Sequence, residues 1–346
     1  MIDIKSFTIE ELEQYFASFG EKSFRAKQVF DWLHVKLATS FDDMTNLSKS
    51  LRDKLSHECN ISNVNIVKHL SSKIDGTEKL AFEYADGNII ESVLMRYEHG
   101  NSVCVSSQAG CRMGCKFCAS TIDGLSRNLT ASEILEQVYA ITRISGERVS
   151  NVVIMGSGEP LDNYDNVIRF IRLISNENGY NMSARNITLS TCGLVPEIKK
   201  LAMEELPITL AISLHAPTDE KRREVMPIAN KYTIEQILDA CDYYFKVTGR
   251  RISFEYSLIN GYNDDKDTIT TLISLLRGKN IHVNLISVNP VKERNFKAVD
   301  TDTISEVKKR LESSGINATI RRRLGADIDS ACGQLRRSVT NMGEQP

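Results

Sequence analysis

The chain has 346 residues, 41% hydrophobic and 25% charged, with a formal net charge of −2. That length suits one large α/β domain with a smaller accessory domain, and the ordinary composition excludes disordered and fibrous classes. There is no run of about 18 uncharged apolar residues, and the opening MIDIKSFTIEELEQYF lacks the basic-then-apolar order of a secretory signal. A cytoplasmic protein with no membrane partner is therefore expected, and in that compartment eight cysteines suggest metal ligation, catalysis or burial before structural disulfides.

Residues 8–58 read as helices: TIEELEQYFASFG closes at Gly20, and SFRAKQVFDWLHVKL follows with apolar residues at helical spacing. From Val67 to about Arg96 short β runs take over, with Asp75-Gly76 and Asp86-Gly87 where hairpin turns require positive φ. Beyond residue 100, apolar runs at SVCVSS, NVVIMG, NITLST, ITLAISL, ISFEYSLI, HVNLISV and ATIR alternate with helical patterns such as Thr130–Ile144, which opens on the capping box Thr130-Ala131-Ser132-Glu133. Repeated β-then-α units imply parallel strands with helices outside. Six or seven units suit a full or partial α/β barrel, with a doubly wound open sheet as the rival. The expected organisation is a helical accessory domain over 1–60, a small β-meander over 61–100 and an α/β core over 101–340, ending in a frayed NMGEQP.

In either architecture ligands gather at the carboxyl ends of the strands. Gly156-Ser157-Gly158-Glu159-Pro160 follows the run VVIM, Ser190 ends NITLS, Ser213-Leu214-His215 end ITLAISLH and Asn289 ends HVNLISVN, so four segments converge on one rim. Taken singly, each of these also reads as a turn, a local cap or a packed histidine.

The stretch GCRMGCKFCAS places Cys111, Cys115 and Cys118 within eight residues and supplies no fourth cysteine nearby. A structural zinc site wants four protein ligands. A four-iron cluster held by three thiolates leaves one iron open for another ligand. Arg112 and Lys116 offer charge compensation, and Gly110 and Gly114 let the loop wrap closely. Three unlinked buried cysteines, or a zinc site, are the alternatives.

C-x3-C-x2-C after the first strand of an α/β barrel resembles the signature of radical S-adenosylmethionine (SAM) enzymes. CVSSQAGCRMGCKFCAS, MGSGEPLDN, STCGLVPEI, AISLHAPTDEKRREVMPI, LISVNP and RRRLGADIDSACGQL together are similar to the RlmN-type RNA methyltransferases, over residues 104–335. The resemblance implies a partial (β/α)6-type radical SAM barrel and a [4Fe-4S] cluster on Cys111, Cys115 and Cys118. SAM would be bound by Gly158, Glu159, Ser190, Ser213, Leu214, His215 and Asn289. It implies methylation of adenine carbon 2 in 23S rRNA at the peptidyl-transferase centre, protein-free or in early assembly, and of adenosine 37 in tRNA. Cys332 would carry the methyl, Cys104 would resolve the protein–RNA adduct through a disulfide with Cys332, and Glu91 would accept the carbon-2 proton. An electron donor such as flavodoxin or ferredoxin would be a partner. The alternatives are a carbon-8 adenine methyltransferase of the Cfr type and a non-catalytic zinc-containing RNA-binding protein.

Without the resemblance, Glu91 reads as a solvated strand residue and Cys104 as core. Arg321, Arg322 and Arg323, with Arg336 and Arg337, surround Cys332, and Lys221, Arg222 and Arg223 form another basic knot; both are expected to contact RNA phosphates. Lys22, Arg25 and Lys27 of the helical segment are expected to help grip RNA, with Trp32 in the core. Cys59, Cys192 and Cys241 are assigned to packing.

Overall fold

The computed structural model describes residues 1–335. Arg336, Arg337 and the terminal NMGEQP lie outside the described residues.

The amino-terminal segment forms α1 (Ile9–Ala17), α2 (Ser23–His34) and α3 (Lys49–Glu58). Thr8 caps α1 in a reciprocal box with Glu11, and Gly20, at φ 82°, ends the turn beyond it. Leu12, Phe16, Val29 and Leu33 recur at helical spacing and are fully buried, in a core continuous with that of the α/β region. A polar tie crosses the same boundary: Lys5 Nζ lies 2.5 Å from Glu136 Oε2, both side chains inaccessible to solvent.

One sheet of ten strands organises the rest. Its first three strands, β1 (Asn65–Ser71), β2 (Glu78–Glu83) and β3 (Ile89–Tyr97), form the antiparallel meander. Its turns use Gly76 (φ 71°) and Gly87 (φ 77°), as the Asp-Gly pairs required. Parallel strands follow: β4 (Gly100–Val105), β5 (Val149–Ile154), β6 (Ile187–Thr191), β7 (Thr209–Ser213), β8 (Ile252–Leu258), β9 (Ile281–Ser287) and β10 (Asn317–Ile320). β4 is antiparallel to β3, so the meander belongs to the same sheet.

Helices alternate with these strands: α4 (Ala131–Ser145), α5 (Tyr164–Ile174), α6 (Val195–Ala202), α7 (Asp219–Val225), α8 (Ile234–Thr248), α9 (Lys266–Leu276) and α10 (Thr301–Ser313). The expected box at Thr130 and Glu133 opens α4, and Gly146 closes it in the left-handed conformation. α5 buries Val167, Phe170, Ile171 and Ile174, the stripe that seats a helix on a sheet.

Spatial strand order follows chain order from β1 to β10 without reversal. A doubly wound sheet must reverse next to its first strand, so that rival is excluded. The sheet also curls. One cavity is lined by Val93, Met95 and Cys104 of β3 and β4 on one side and by Ile286 and Ile320 of β9 and β10 on the other. Arg321 Nη1, just past β10, reaches Met155 Sδ, just past β5, at 3.1 Å. The result is a partial barrel of six strand–helix units closed off by a seventh parallel strand.

Candidate active site

The loop after β4 carries the three clustered cysteines. Gly110 has φ 82°, and a side chain there would place its Cβ 1.9 Å from the Gly124 carbonyl oxygen, so only glycine lets the loop turn at this point. Lys116 N donates to Val225 O at 2.9 Å, holding the loop against α7. Cys111, Cys115 and Cys118 line one cavity. Burial pushes the Cys111 thiol up to about 12 and raises Cys115 and Cys118 as well. Thiols so placed ionise only when a strong local positive charge, such as a coordinated metal, stabilises the thiolate.

The donor set fits a multi-iron cluster. Among the described residues no three His, Cys, Asp or Glu side chains gather closely enough to hold one metal ion. A cubane takes each thiolate to a different iron, which spreads the sulfurs apart.

The strand ends supply the opposite wall. Gly158, Glu159, Ser190, Ser213, His215 and Asn289 all line the same cavity. Gly158, at φ 106°, packs where a Cβ would stand 2.6 Å from Gln108 Cβ. Glu159 is 4% exposed; its oxygens accept from Cys192 N at 2.8 Å and Leu161 N at 3.0 Å. Burial nevertheless pushes its pKa up, with those hydrogen bonds opposing. The carboxylate keeps lone pairs for further donors. His215 accepts from Ser257 N through Nδ1 at 3.0 Å, which puts any ring proton on Nε2. Burial, with the nearby Arg222 charge, pushes it down to about 3, so it stays neutral. Leu214 is buried and absent from the lining; its carbonyl accepts from Arg222 Nε at 3.2 Å.

Cys332 lies on the segment after β10 and lines both this cavity and a second one. The segment is pinned on two sides. Ala119 N donates to Gly333 O at 2.8 Å and Ser120 Oγ to Leu335 O at 2.7 Å, from the cysteine loop. Asn289 Nδ2 donates to Cys332 O at 3.0 Å, from the end of β9. Cys104 is 7% exposed and lines the second cavity opposite Cys332, its thiol pushed up to about 12 by burial and by the neighbouring Cys332. Both are free thiols.

Glu91 lies outside both linings. It is buried at 1% exposure, contrary to a solvated strand residue, and pairs with Lys79 Nζ at 3.3 Å. On β3 it stands two residues from Val93, which faces Cys104 across the β3–β4 ladder and lines the second cavity. Glu91 and Val93 therefore share a face of the strand.

Several charged residues sit differently from the sequence expectation. Arg321 turns inward: it lines both cavities, and its Nη1 lies 3.5 Å from Glu255 Oε2. Glu255, missed in the sequence, is 3% exposed on β8 and accepts from Asn284 Nδ2 at 2.8 Å. Its residue type inside ISFEYSLI was the available signal. Arg322 and Arg323 are exposed and line the second cavity. The basic knot on α7 is not a surface: Arg222 is 0% exposed, and Lys221 Nζ donates to Tyr262 O and Thr268 Oγ1. Only Arg223 of the three is exposed. Arg112 is exposed and paired with Asp162. Trp32 is half-buried, with Lys36 Nζ 4.0 Å above its ring, so it sits at the surface of the core. Of the three cysteines assigned to packing, all are buried.

Comparison with known proteins matches residues 2–61 to the ribosomal RNA large subunit methyltransferase N-terminal domain and residues 105–273 to the radical SAM superfamily. The chain is 58% identical to the probable dual-specificity RNA methyltransferase RlmN of Lachnoclostridium phytofermentans, covering 98% of this chain and 96% of that one. It is 59% identical to the probable dual-specificity RNA methyltransferase RlmN of Lachnospira eligens, covering 97% and 96%. Among solved structures, a radical SAM methyltransferase from Sphaerobacter thermophilus superposes with a TM-score of 0.94 at 42% identity, covering 97% of this chain and all of that one.

Proposed function

The chain belongs to the RlmN family of radical SAM RNA methyltransferases, and on that premise we propose that it methylates carbon 2 of adenosine in 23S rRNA and of adenosine 37 in tRNA through a methyl carried on Cys332. The observation that carries the reading is the position of Cys332, on the wall common to two cavities. One cavity holds the cysteine loop and the polar strand ends. The other holds Cys104 and opens past Arg322 and Arg323.

Carbon 2 of adenine lies between two ring nitrogens and is electron-poor, so nucleophilic displacement on a methyl donor does not serve it. The [4Fe-4S] cluster and SAM, when bound, supply the electron and the 5′-deoxyadenosyl radical that this carbon requires. Cys111, Cys115 and Cys118 would hold the cluster. Gly158, Glu159, Ser190, Ser213, His215 and Asn289 would orient SAM, with the Glu159 carboxylate accepting from its ammonium.

Cys332 receives a methyl on sulfur in one half of the reaction and presents that carbon to the adenine in the other. The hydrogen bonds from Asn289 and Ala119 hold the carbonyls of Cys332 and Gly333, fixing the backbone that carries its sulfur, which is what proximity catalysis needs. Once the methyl has given up one hydrogen to the radical and its carbon bridges Cys332 and the base, the adduct loses one electron, Glu91 takes the carbon-2 proton, and Cys104 attacks Cys332 sulfur. That attack breaks the sulfur–carbon bond and forms a disulfide, the freed carbon takes a proton to become the methyl of the base, and two electrons from the donor protein return both cysteines to thiols. Arg322 and Arg323, with Lys22, Arg25 and Lys27 on the helical segment 1–60, supply the positive charge that RNA phosphates require. A one-electron donor protein of the flavodoxin or ferredoxin class completes the cycle, in the cytoplasm; no helix among the described residues is long and apolar enough to cross a membrane.

The test is digestion of RNA after incubation with reconstituted enzyme, reductant and SAM. 2-Methyladenosine is expected. 8-Methyladenosine would assign the chain to the carbon-8 activity, and no methylated base with a full cluster would refute the reading.

A further inference from the structure

Arg222 is the largest fully buried side chain among the described residues, 0% exposed on the short helix α7. Its Nη2 donates to Cys192 O at 2.6 Å and Ser213 O at 3.2 Å, and its Nε to Leu214 O at 3.2 Å. Those carbonyls belong to the ends of β6 and β7, two of the segments that shape the SAM wall. Nη1 is buried and has no hydrogen-bond partner among the described residues. No carboxylate among them lies within ion-pair distance of the guanidinium, although Asp219, three residues earlier on the same helix, acts on it from beyond that distance.

A guanidinium cannot shed its proton at any ordinary pH, and an uncompensated buried charge is strongly unfavourable. Carbonyl dipoles offset part of that cost. The remainder calls for an anion, and the neighbouring element is the cysteine loop: Lys116 N bonds to Val225 O on the same helix at 2.9 Å, and Gly114 packs on Pro227 just after it. Cys192, whose carbonyl Arg222 holds, lines the same cavity as Cys111, Cys115 and Cys118. The cations that adjoin the cysteines in sequence are worse placed. Arg112 and Lys116 are exposed, and Arg112 is already paired with Asp162. Arg294, half-buried, donates to Thr121 Oγ1.

We infer that Arg222 is the buried counter-charge of the cluster, a positioning residue that fixes the strand ends carrying Cys192, Ser213 and Leu214 and makes the cluster easier to reduce. A four-iron core held by three thiolates is anionic, and the electron it accepts adds a further negative charge. A fixed positive charge in a dry, low-dielectric setting stabilises the reduced form over the oxidised one. The inference rests on the radical SAM reading above.

The experiment compares wild type, Arg222→Lys and Arg222→Gln after anaerobic reconstitution, by iron and sulfide assay and by dithionite-mediated redox titration read by electron paramagnetic resonance. At a fixed applied potential, the ratio of reduced to oxidised cluster in Arg222→Gln should fall at least tenfold, which is about 59 mV for one electron, while Arg222→Lys stays near wild type. Failure of folded Arg222→Gln to hold iron where Arg222→Lys holds it would support the same charge requirement. Fully loaded Arg222→Gln titrating with the wild type would overturn the inference, as would failure of both variants to load although folded, since shape alone would then be the requirement. A wild type that binds no iron would instead refute the family reading.

Discussion

Lys79 Nζ lies 3.3 Å from Glu91 Oε1 and 3.1 Å from the carbonyl of Asp329, so one side chain of β2 ties a buried carboxylate to the segment that carries Cys332. Ser72 Oγ reinforces the tie by donating to Asp327 at 2.7 Å. The meander is thereby coupled to the reactive segment as well as to the sheet.

If Glu91 is the proton acceptor, Glu91→Gln removes a general base, and RNA methylation should slow about 10²–10⁴-fold. Methyl transfer onto Cys332 should proceed as before, because that step needs no carbon-2 proton. Mass analysis of the Cys332 peptide alongside RNA product counts separates the two. Equal loss of both would mean that Glu91 acts only through packing.

The two cysteines of the second cavity should fail in different ways. Cys332→Ala should end base methylation while iron and sulfide stay at wild-type levels. Cys104→Ala should accumulate a covalent protein–RNA species visible on a denaturing gel. Multiple turnovers by Cys104→Ala without such a species would rule out its resolving role.

The ion pair between Lys5 and Glu136 is fully buried, and burial lowers the Lys5 pKa against the pull of Glu136. Removing one partner leaves a charge without its counterpart, so Glu136→Gln should cost about 3–5 kcal/mol of stability. Replacing both by apolar residues, as Lys5→Met with Glu136→Leu, should recover part of that loss, because Arg143, the other partner of Glu136, can turn to solvent. Calorimetric or chemical denaturation measures it, and a double variant no better than the single would contradict the argument.

His34 is buried beside Phe30, with Nδ1 2.9 Å from the Tyr139 hydroxyl, and burial pushes it from 6.5 down to about 3. Between those values the unfolded chain binds the proton that the folded one refuses, so stability falls as pH drops below 6.5 and is fully present at neutral pH. The loss at pH 5 is about 2 kcal/mol from this residue. His34→Gln should flatten that part of the pH–stability curve by the same amount; an unchanged slope would mean that His34 ionises inside the fold.

Much of this architecture was legible in the chain. Each of the parallel strands is an apolar run bounded by turn residues, and the meander announced itself through Asp75-Gly76 and Asp86-Gly87. The cysteine loop is local, so its spacing carried its meaning. What was not legible is where charge turns inward. Arg222 sits in DEKRREV, which reads as a solvated face, yet its helix presents it to the core; Arg321 opens RRR but only its two successors are exposed. The burial of such residues depends on strand register and helix docking, which a run of like charges does not encode. Glu91 was hidden for the same reason, since the β3 ladder alone decides which face of IIESVLM meets Lys79.

The account turns on a methyl group that resides on Cys332 before it reaches adenine. Enzyme is first loaded with SAM bearing a deuterated methyl, stripped of free SAM, and then supplied with unlabelled SAM, reductant and RNA for one turnover, with mass spectrometry of both the adenosine and the Cys332 peptide. The prediction is that the first methylated adenosine carries deuterium drawn from the protein and that Cys332 loses it. Product whose methyl comes wholly from the unlabelled SAM, with the label still on Cys332, would contradict it.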